Sequence, residues 1–246
     1  MPSEKKNRND ILRTFSFVMV SLFMAAVLVG VFILAEAGRA HRVKPLSSEI
    51  LPRAADGADK LLIMAHPDDE TLWAGGHLYD KGFLVVCVTN GRNDIRAAEF
   101  EKVVKESGNA FLILEYPDKV LFKRDDWSEV NEAIKKDLGL IIGSRDWKQI
   151  ATHNPEGEYG HEHHKYCSKI VTGLCEERGL TDILWYMGKY YGKSTLEEVK
   201  EDLPRLSDEQ LAFKEKLLTH YVSQKKTIAK LSHMNPYENW KKYERD

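Results

Sequence analysis

Cysteine is scarce, with three in 246 residues, and the placement of those three implies no disulfide framework. Cys167 and Cys175 lie eight apart on a stretch of helical character, roughly 12 Å along a helix axis by its rise per residue. That exceeds the reach of a disulfide. Cys87 sits in an apolar, strand-like run and reads as core. An excess of one charge is missing too. The net charge is −2 with both signs interspersed, so no basic patch supports a nucleic-acid reading and no nucleic-acid partner is expected. No Gly-x-Gly-x-x-Gly follows the first apolar strand, and no Gly-x-x-x-x-Gly-Lys-Ser/Thr loop occurs. Dinucleotide and nucleoside-triphosphate readings thereby lose their main support. There is no repeat and no low-complexity tract.

Long hydrophobic runs are absent but for one. Phe15 to Ala35 carries no charged residue and is long enough to cross a bilayer core of roughly 30 Å as a helix. Lys5, Lys6, Arg8 and Arg13 precede it, and Arg39, Arg42 and Lys44 follow. Ala35-Glu36-Ala37 has the small-x-small form of a signal-peptidase site, but the apolar core exceeds the about 7–15 residues usual for cleaved signals. The expected organisation is a short polar tail over 1–14, a single-pass transmembrane signal anchor over 15–36, a linker over 37–58 and one catalytic domain over 59–246. Basic residues flank both ends of the anchor, so the positive-inside rule gives only a slight preference for an extracytosolic domain.

Past the linker, strand and helix signals alternate. Leu61–Ala65, Phe83–Thr89, Phe111–Leu114, Gln149–Thr152 and Asp182–Tyr186 read as strands. Glu70–Lys81, Ile95–Ser107, Trp127–Asp137 and His161–Arg178 read as helices, and Ser207 to Gln210 has capping-box spacing that opens a C-terminal helix. This order predicts an α/β fold: a Rossmann-like, mostly parallel sheet with helices on both faces. Such sheets place their sites at the carboxyl ends of the strands.

Two motifs fall at such ends. Ala65-His66-Pro67-Asp68-Asp69-Glu70 directly follows the first apolar run. Four ionisable groups at the end of a buried strand must be solvated, paired or bound to a cation. About a hundred residues later comes Thr152 to His164, THNPEGEYGHEHH. His66 and Asp69 can hold one metal while Asp68 faces a water on it. His161 and His164 are spaced i, i+3 at a helix start and share a face, so His164 can close the triad with His161 beside an open position. His163 becomes the ligand instead if the helix starts in another register. His153 is a weaker candidate, suited to a hydrogen bond within the motif loop.

The pair AHPDDE and YGHEHH resembles the N-acetylglucosaminylphosphatidylinositol de-N-acetylase family, PIG-L or LmbE-like, over roughly Lys60 to Trp185. The resemblance implies zinc held by His66, Asp69 and His164. It implies Asp68 as the base for the attacking water and His161 as the imidazolium that stabilises the intermediate or protonates the departing amine. The chain departs from the family's frequent His-Pro-Asp-His, having His161-Glu162-His163-His164. Tyr159 is added as a donor to the oxyanion, and Glu70 as a group orienting a ligand.

Arg92 and Arg96, beyond the second strand, are candidate substrate groups. For Arg96 an exposed pair with Glu99 or Glu101 is the plain alternative. Asp125, Asp126 and Trp127 read as the start of a helix. The expected activity is de-N-acetylation of an N-acetylglucosamine-type conjugate, small or lipid-linked. Alternatives are a metal-dependent amidase or esterase on another acyl group, or a membrane-anchored glycan- or metal-binding protein. The aglycone, the oligomeric state and the metal actually used are not legible, since the same donors suit iron, manganese or cobalt.

Overall fold

The computed structural model describes residues 2–245, with side chains from Leu12 onward. The elements in chain order are α1 Pro2–Ala40, α2 Leu51–Ala54, β1 Lys60–Met64, α3 Asp69–Leu78, β2 Phe83–Thr89, α4 Asp94–Ser107 and β3 Ala110–Tyr116. There follow β4 Lys119–Val120, β5 Lys123–Arg124, α5 Asn131–Ile142, β6 Gln149–Thr152, α6 Gly157–Gly160, α7 Glu162–Arg178 and β7 Leu184–Tyr186. The chain continues through α8 Lys193–Val199, α9 Asp208–Leu218, α10 Lys225–Leu231 and β8 Lys241–Lys242. These elements divide into two compact units, residues 1–42 with 119–124, and residues 43–118 with 125–246.

The first unit is α1 together with the antiparallel hairpin β4–β5, in which Lys119 pairs Arg124 and Val120 pairs Lys123. Helix α1 is longer than the expected 15–36. No glycine or proline interrupts residues 3–29, so nothing stops the helix upstream, and Pro2 occupies a position where a missing N–H costs nothing. The side chains of Lys5, Lys6 and Arg8 fall outside the described ones. From Leu12 to Ala40 the helix is long and apolar enough to cross a membrane, with none of its apolar window buried.

The second unit is built on a six-stranded sheet in the order β3-β2-β1-β6-β7-β8. All pairs are parallel except β7–β8, matching the mostly parallel sheet expected. Continuous apolar strands arise because both faces are covered. Leu61, Ile63, Leu84, Val86 and Ile150 pack on one side with Leu138, Ile141 and Val171 of α5 and α7. Leu62, Met64, Val85 and Cys87 pack on the other with Leu72, Phe100 and Leu218 of α3, α4 and α9. Each such side chain contributes about 1.5–3 kcal/mol when fully buried. Gly75 lets α9 approach α3, since a Cβ there would stand 2.7 Å from Lys214 Cγ.

This unit begins earlier than the expected residue 59. Leu51, Ala55 and Ala58 join the core, and the Leu46 amide donates to both carboxylate oxygens of Asp137 at 3.2 Å. Residues 43–58, read as linker, are thus held by apolar burial. Chain order reverses at β1, whose neighbours are β2 and β6. The carboxyl ends of β1 and β6 flank that switch point, where open α/β sheets form their crevice.

Candidate metal centre

Both motifs emerge there. After β1 the chain turns through His66 and Pro67 into α3, with Asp68 at the helix N-cap at φ 115°. For an L residue that backbone is strained, by roughly 1–3 kcal/mol. The His66 amide donates to Asp69 Oδ2 at 2.9 Å, and Asp69 is the first residue of α3, where the helix dipole favours a carboxylate. After β6 the second motif turns through α6 and enters α7 with His161 as N-cap. Asn154 ties that turn, accepting from the amides of Glu156 and Glu158 at 2.9 and 3.2 Å.

Three donor atoms converge. His66 Nδ1 lies 3.1 Å from Asp69 Oδ2, His164 Nε2 lies 3.3 Å from the same oxygen, and the two nitrogens are 3.3 Å apart. Donors bound tetrahedrally to zinc at about 2.0–2.1 Å stand roughly 3.3 Å apart, so the triangle fits a small divalent cation. All three residues are buried. The hydrogen bonds around the rings aim the lone pairs inward. Glu158 Oε2 accepts from His164 Nδ1 at 2.5 Å, which leaves Nε2 facing the triangle. His163 Nε2 donates to the Asp125 carbonyl at 2.6 Å, so His163 Nδ1 accepts from His66 Nε2 at 3.0 Å and His66 Nδ1 faces the triangle.

The electrostatics follow from this crowding. Burial alone would raise the Asp69 carboxyl, but His164, His153 and His66 outweigh it and hold it well below the usual range. Burial, then the Asp69 charge, push Asp68 well above it, against Arg96. His66 is pressed down by burial, yet Asp118 and Asp69 raise it to about 9. Burial would also raise Glu158; His153 and His164 lower it.

Other expected residues distribute around the triangle. The His161 ring stands 4.7 Å from His66 and 4.4 Å from His164 between centroids. Tyr159 is partly exposed, its ring 5.9 Å from His161 and 6.1 Å from Trp73. Arg96 pairs with Asp68 Oδ1 at 3.3 Å through Nη2 and also bonds the Pro67 carbonyl; it does not turn to Glu99 or Glu101. Arg92 lies on the rim and pairs with Glu115 at 3.0 Å.

His163 and His153 lie next to the triangle, His153 Nε2 standing 3.5 Å from Asp69 Oδ2. The His163 ring stacks on Trp127 at 4.3 Å. His153 Nε2 accepts from the Ala65 amide at 2.9 Å and Nδ1 bonds Glu158 at 3.0 Å, the motif-loop role expected. Glu70 reaches no candidate ligand side chain. It accepts from the Asp68 amide at 3.1 Å, from Thr71 at 2.6 Å and from Tyr221, and burial raises it to about 7. The carboxylate bonded to a candidate ligand is Glu158, on His164 Nδ1.

One residue went unread in the sequence, Asp118, and one, Trp127, was read as a helix start. Asp118 Oδ1 lies 3.5 Å from His66 Nε2 and 3.7 Å from His163 Nδ1. Trp127 is buried with φ 57°, its indole donating to the Pro117 carbonyl at 2.8 Å. It starts no helix, since α5 begins at Asn131.

Residues 61–175 match the family model of PIG-L, GlcNAc-PI de-N-acetylase. The resemblance carried by the two motifs therefore holds across the stretch that contains every residue of this centre. An uncharacterized protein of Acanthamoeba polyphaga mimivirus is 31% identical over a match covering 46% of this chain and 56% of that protein. The chain thus spans little more than half the length of this curated relative. Among solved structures, N,N'-diacetylchitobiose deacetylase from Pyrococcus horikoshii, complexed with its inhibitor, has a TM-score of 0.49 and 16% identity, covering 80% of this chain and 86% of that one.

Proposed function

We propose that this chain is a membrane-anchored, zinc-dependent hydrolase that removes the N-acetyl group from an N-acetylglucosamine-type conjugate. The observation carrying this reading is the His66–Asp69–His164 triangle with Asp68 at its edge, within the segment that matches a de-N-acetylase family. Two imidazoles and a carboxylate are a donor set suited to catalytic zinc. When bound there, the cation would lower the pKa of a water and polarise an acyl oxygen.

The chain's own groups supply the proton movements. Asp68 accepts a proton from the attacking water at a carboxylate whose proton affinity burial has raised. Arg96 holds that carboxylate in place, a positioning role in preference to a substrate contact. The acetyl carbon gains the water oxygen and loses the nitrogen. His161 gives a proton to that nitrogen as the bond breaks, yielding acetate and a free amine. Tyr159, at the exposed side of His161, donates to the acyl oxygen, and Arg92 on the rim is left for polar groups of the substrate. The apolar stretch Leu12–Ala40 supports the anchor.

Acetate release by the full-length, zinc-loaded protein in detergent tests this reading. The panel would include lipid-linked, inositol-linked and oligosaccharide N-acetylglucosamine, with Asp68→Ala as control. Acetate from one class, lost in the variant, is expected. Metal bound with no acetate from any member would favour a binding role or another acyl substrate.

A further inference from the structure

The hairpin β4–β5 is poorly designed for water. Its two-residue loop is Leu121-Phe122, both at positive φ, 49° and 67°. Two-residue loops with positive φ at both positions favour Asn-Gly or Asp-Gly, because side chains are strained there. Here the strained positions carry two large apolar side chains, and Phe122 is 99% exposed. Three basic residues surround them, Lys119, Lys123 and Arg124, all exposed. A two-residue apolar tip is too small for a stable protein interface. It is the right size for a wedge entering the headgroup layer, with basic side chains meeting lipid phosphates behind it.

The neighbourhood points the same way. Strand β4 packs against α1, and hairpin and helix form one compact unit. Along α1 residues 12–29 are exposed, whereas Glu36, Ala37 and Ala40 at its far end are partly covered. The first unit therefore joins an apolar helix fit to span a bilayer and a basic hairpin with an apolar tip.

We infer that Leu121 and Phe122 insert into the interfacial layer of an anionic phospholipid bilayer, with Lys119, Lys123 and Arg124 on its headgroups. This rests on the reading of α1 as a membrane anchor. The hairpin is bracketed by Asp118 and Asp125, whose backbones are joined by the Asp125 amide donating to the Asp118 carbonyl at 3.0 Å. Those same residues contact His66 and His163.

The test is site-directed spin labelling of the full chain in vesicles of mixed phosphatidylcholine and phosphatidylglycerol. Single labels go on Phe122→Cys, Leu28→Cys in the apolar helix, and Val222→Cys, an exposed residue of the second unit. The native cysteines are buried. Collision with a water-soluble nickel chelate should be at least fivefold lower at 122 than at 222, with oxygen access raised. Equal nickel access at 122 and 222, with 28 in lipid, would overturn the hairpin's role while leaving the anchor standing. Water exposure at 28 as well would overturn the anchor and the hairpin together. Neither readout depends on deacetylation.

Discussion

Two buried polar clusters in the second unit differ in how their charges are satisfied. Between α3 and α9, Lys214 Nζ meets Glu238 Oε1 at 2.8 Å, both side chains fully buried. The same carboxylate accepts from the amides of Gly76 and His77 at 2.8 and 3.2 Å and bonds His77 Nδ1 at 2.7 Å. One charge of each sign is enclosed and every carboxylate oxygen has partners. At the carboxyl ends of β1 and β6, by contrast, three acceptor atoms point at one another. Asp68 there sits on strained backbone with its carboxyl raised. A balanced pair stabilises a packing geometry; an unbalanced convergence of donor atoms is one that could hold a cation. The difference separates a structural ion pair from a candidate metal centre, although both are buried.

The largest effect is expected at Asp68. Asp68→Asn should cut turnover by about 10²–10⁴-fold, the usual worth of a general base, with zinc content by atomic absorption unchanged. His66→Ala should lose both. Undiminished turnover in Asp68→Asn would remove this carboxylate from the chemistry.

The next effect belongs to the other cluster. Glu238→Ala strands the Lys214 charge in the core and should cost about 3–5 kcal/mol in urea unfolding, with metal content retained in the folded fraction. The pair also has a pH signature. Burial would raise the Glu238 carboxyl, but Lys214 and His77 outweigh it and bring it to about 2 from the usual 4.5. A depressed folded value means stability present above pH 4.5 and lost as pH falls toward 2. That difference is worth about 3 kcal/mol. The stability gap between wild type and Glu238→Gln should narrow over that window. A gap independent of pH would contradict the pairing.

The smallest effect expected lies behind the triangle. Glu158→Gln keeps the shape but weakens the bond that aims His164, and should reduce zinc affinity by about 10–100-fold. Competition against a chromophoric chelator measures it. An unchanged affinity would mean that Glu158 serves the loop alone.

The strands and the two motifs were readable because β1 and β2 are covered on both faces, so their apolar runs end sharply where the polar site begins. The His161–His164 spacing was readable for a similar reason, as helix periodicity puts both on one side. Asp118 was not, since its approach to His66 depends on the path between β3 and α5, which no local pattern records. Trp127 misled because Asp125 and Asp126 bond the amides of Trp127 and Ser128 at 2.8 and 3.0 Å. Such turns use the same residues as helix caps. Glu158 lay in plain view within the second motif, but only the fold turns its carboxylate toward two imidazoles. Residues 43–58 read as linker because small and charged residues dominate there, while the few that bury are spaced too sparsely to form a stripe.

The most direct test is anomalous scattering from a crystal of the zinc-loaded full chain, collected at the zinc edge. One strong peak is expected at about 2.0–2.2 Å from His66 Nδ1, Asp69 Oδ2 and His164 Nε2 together. A peak between His66, His161 and His163, or none near the ends of β1 and β6, would contradict it.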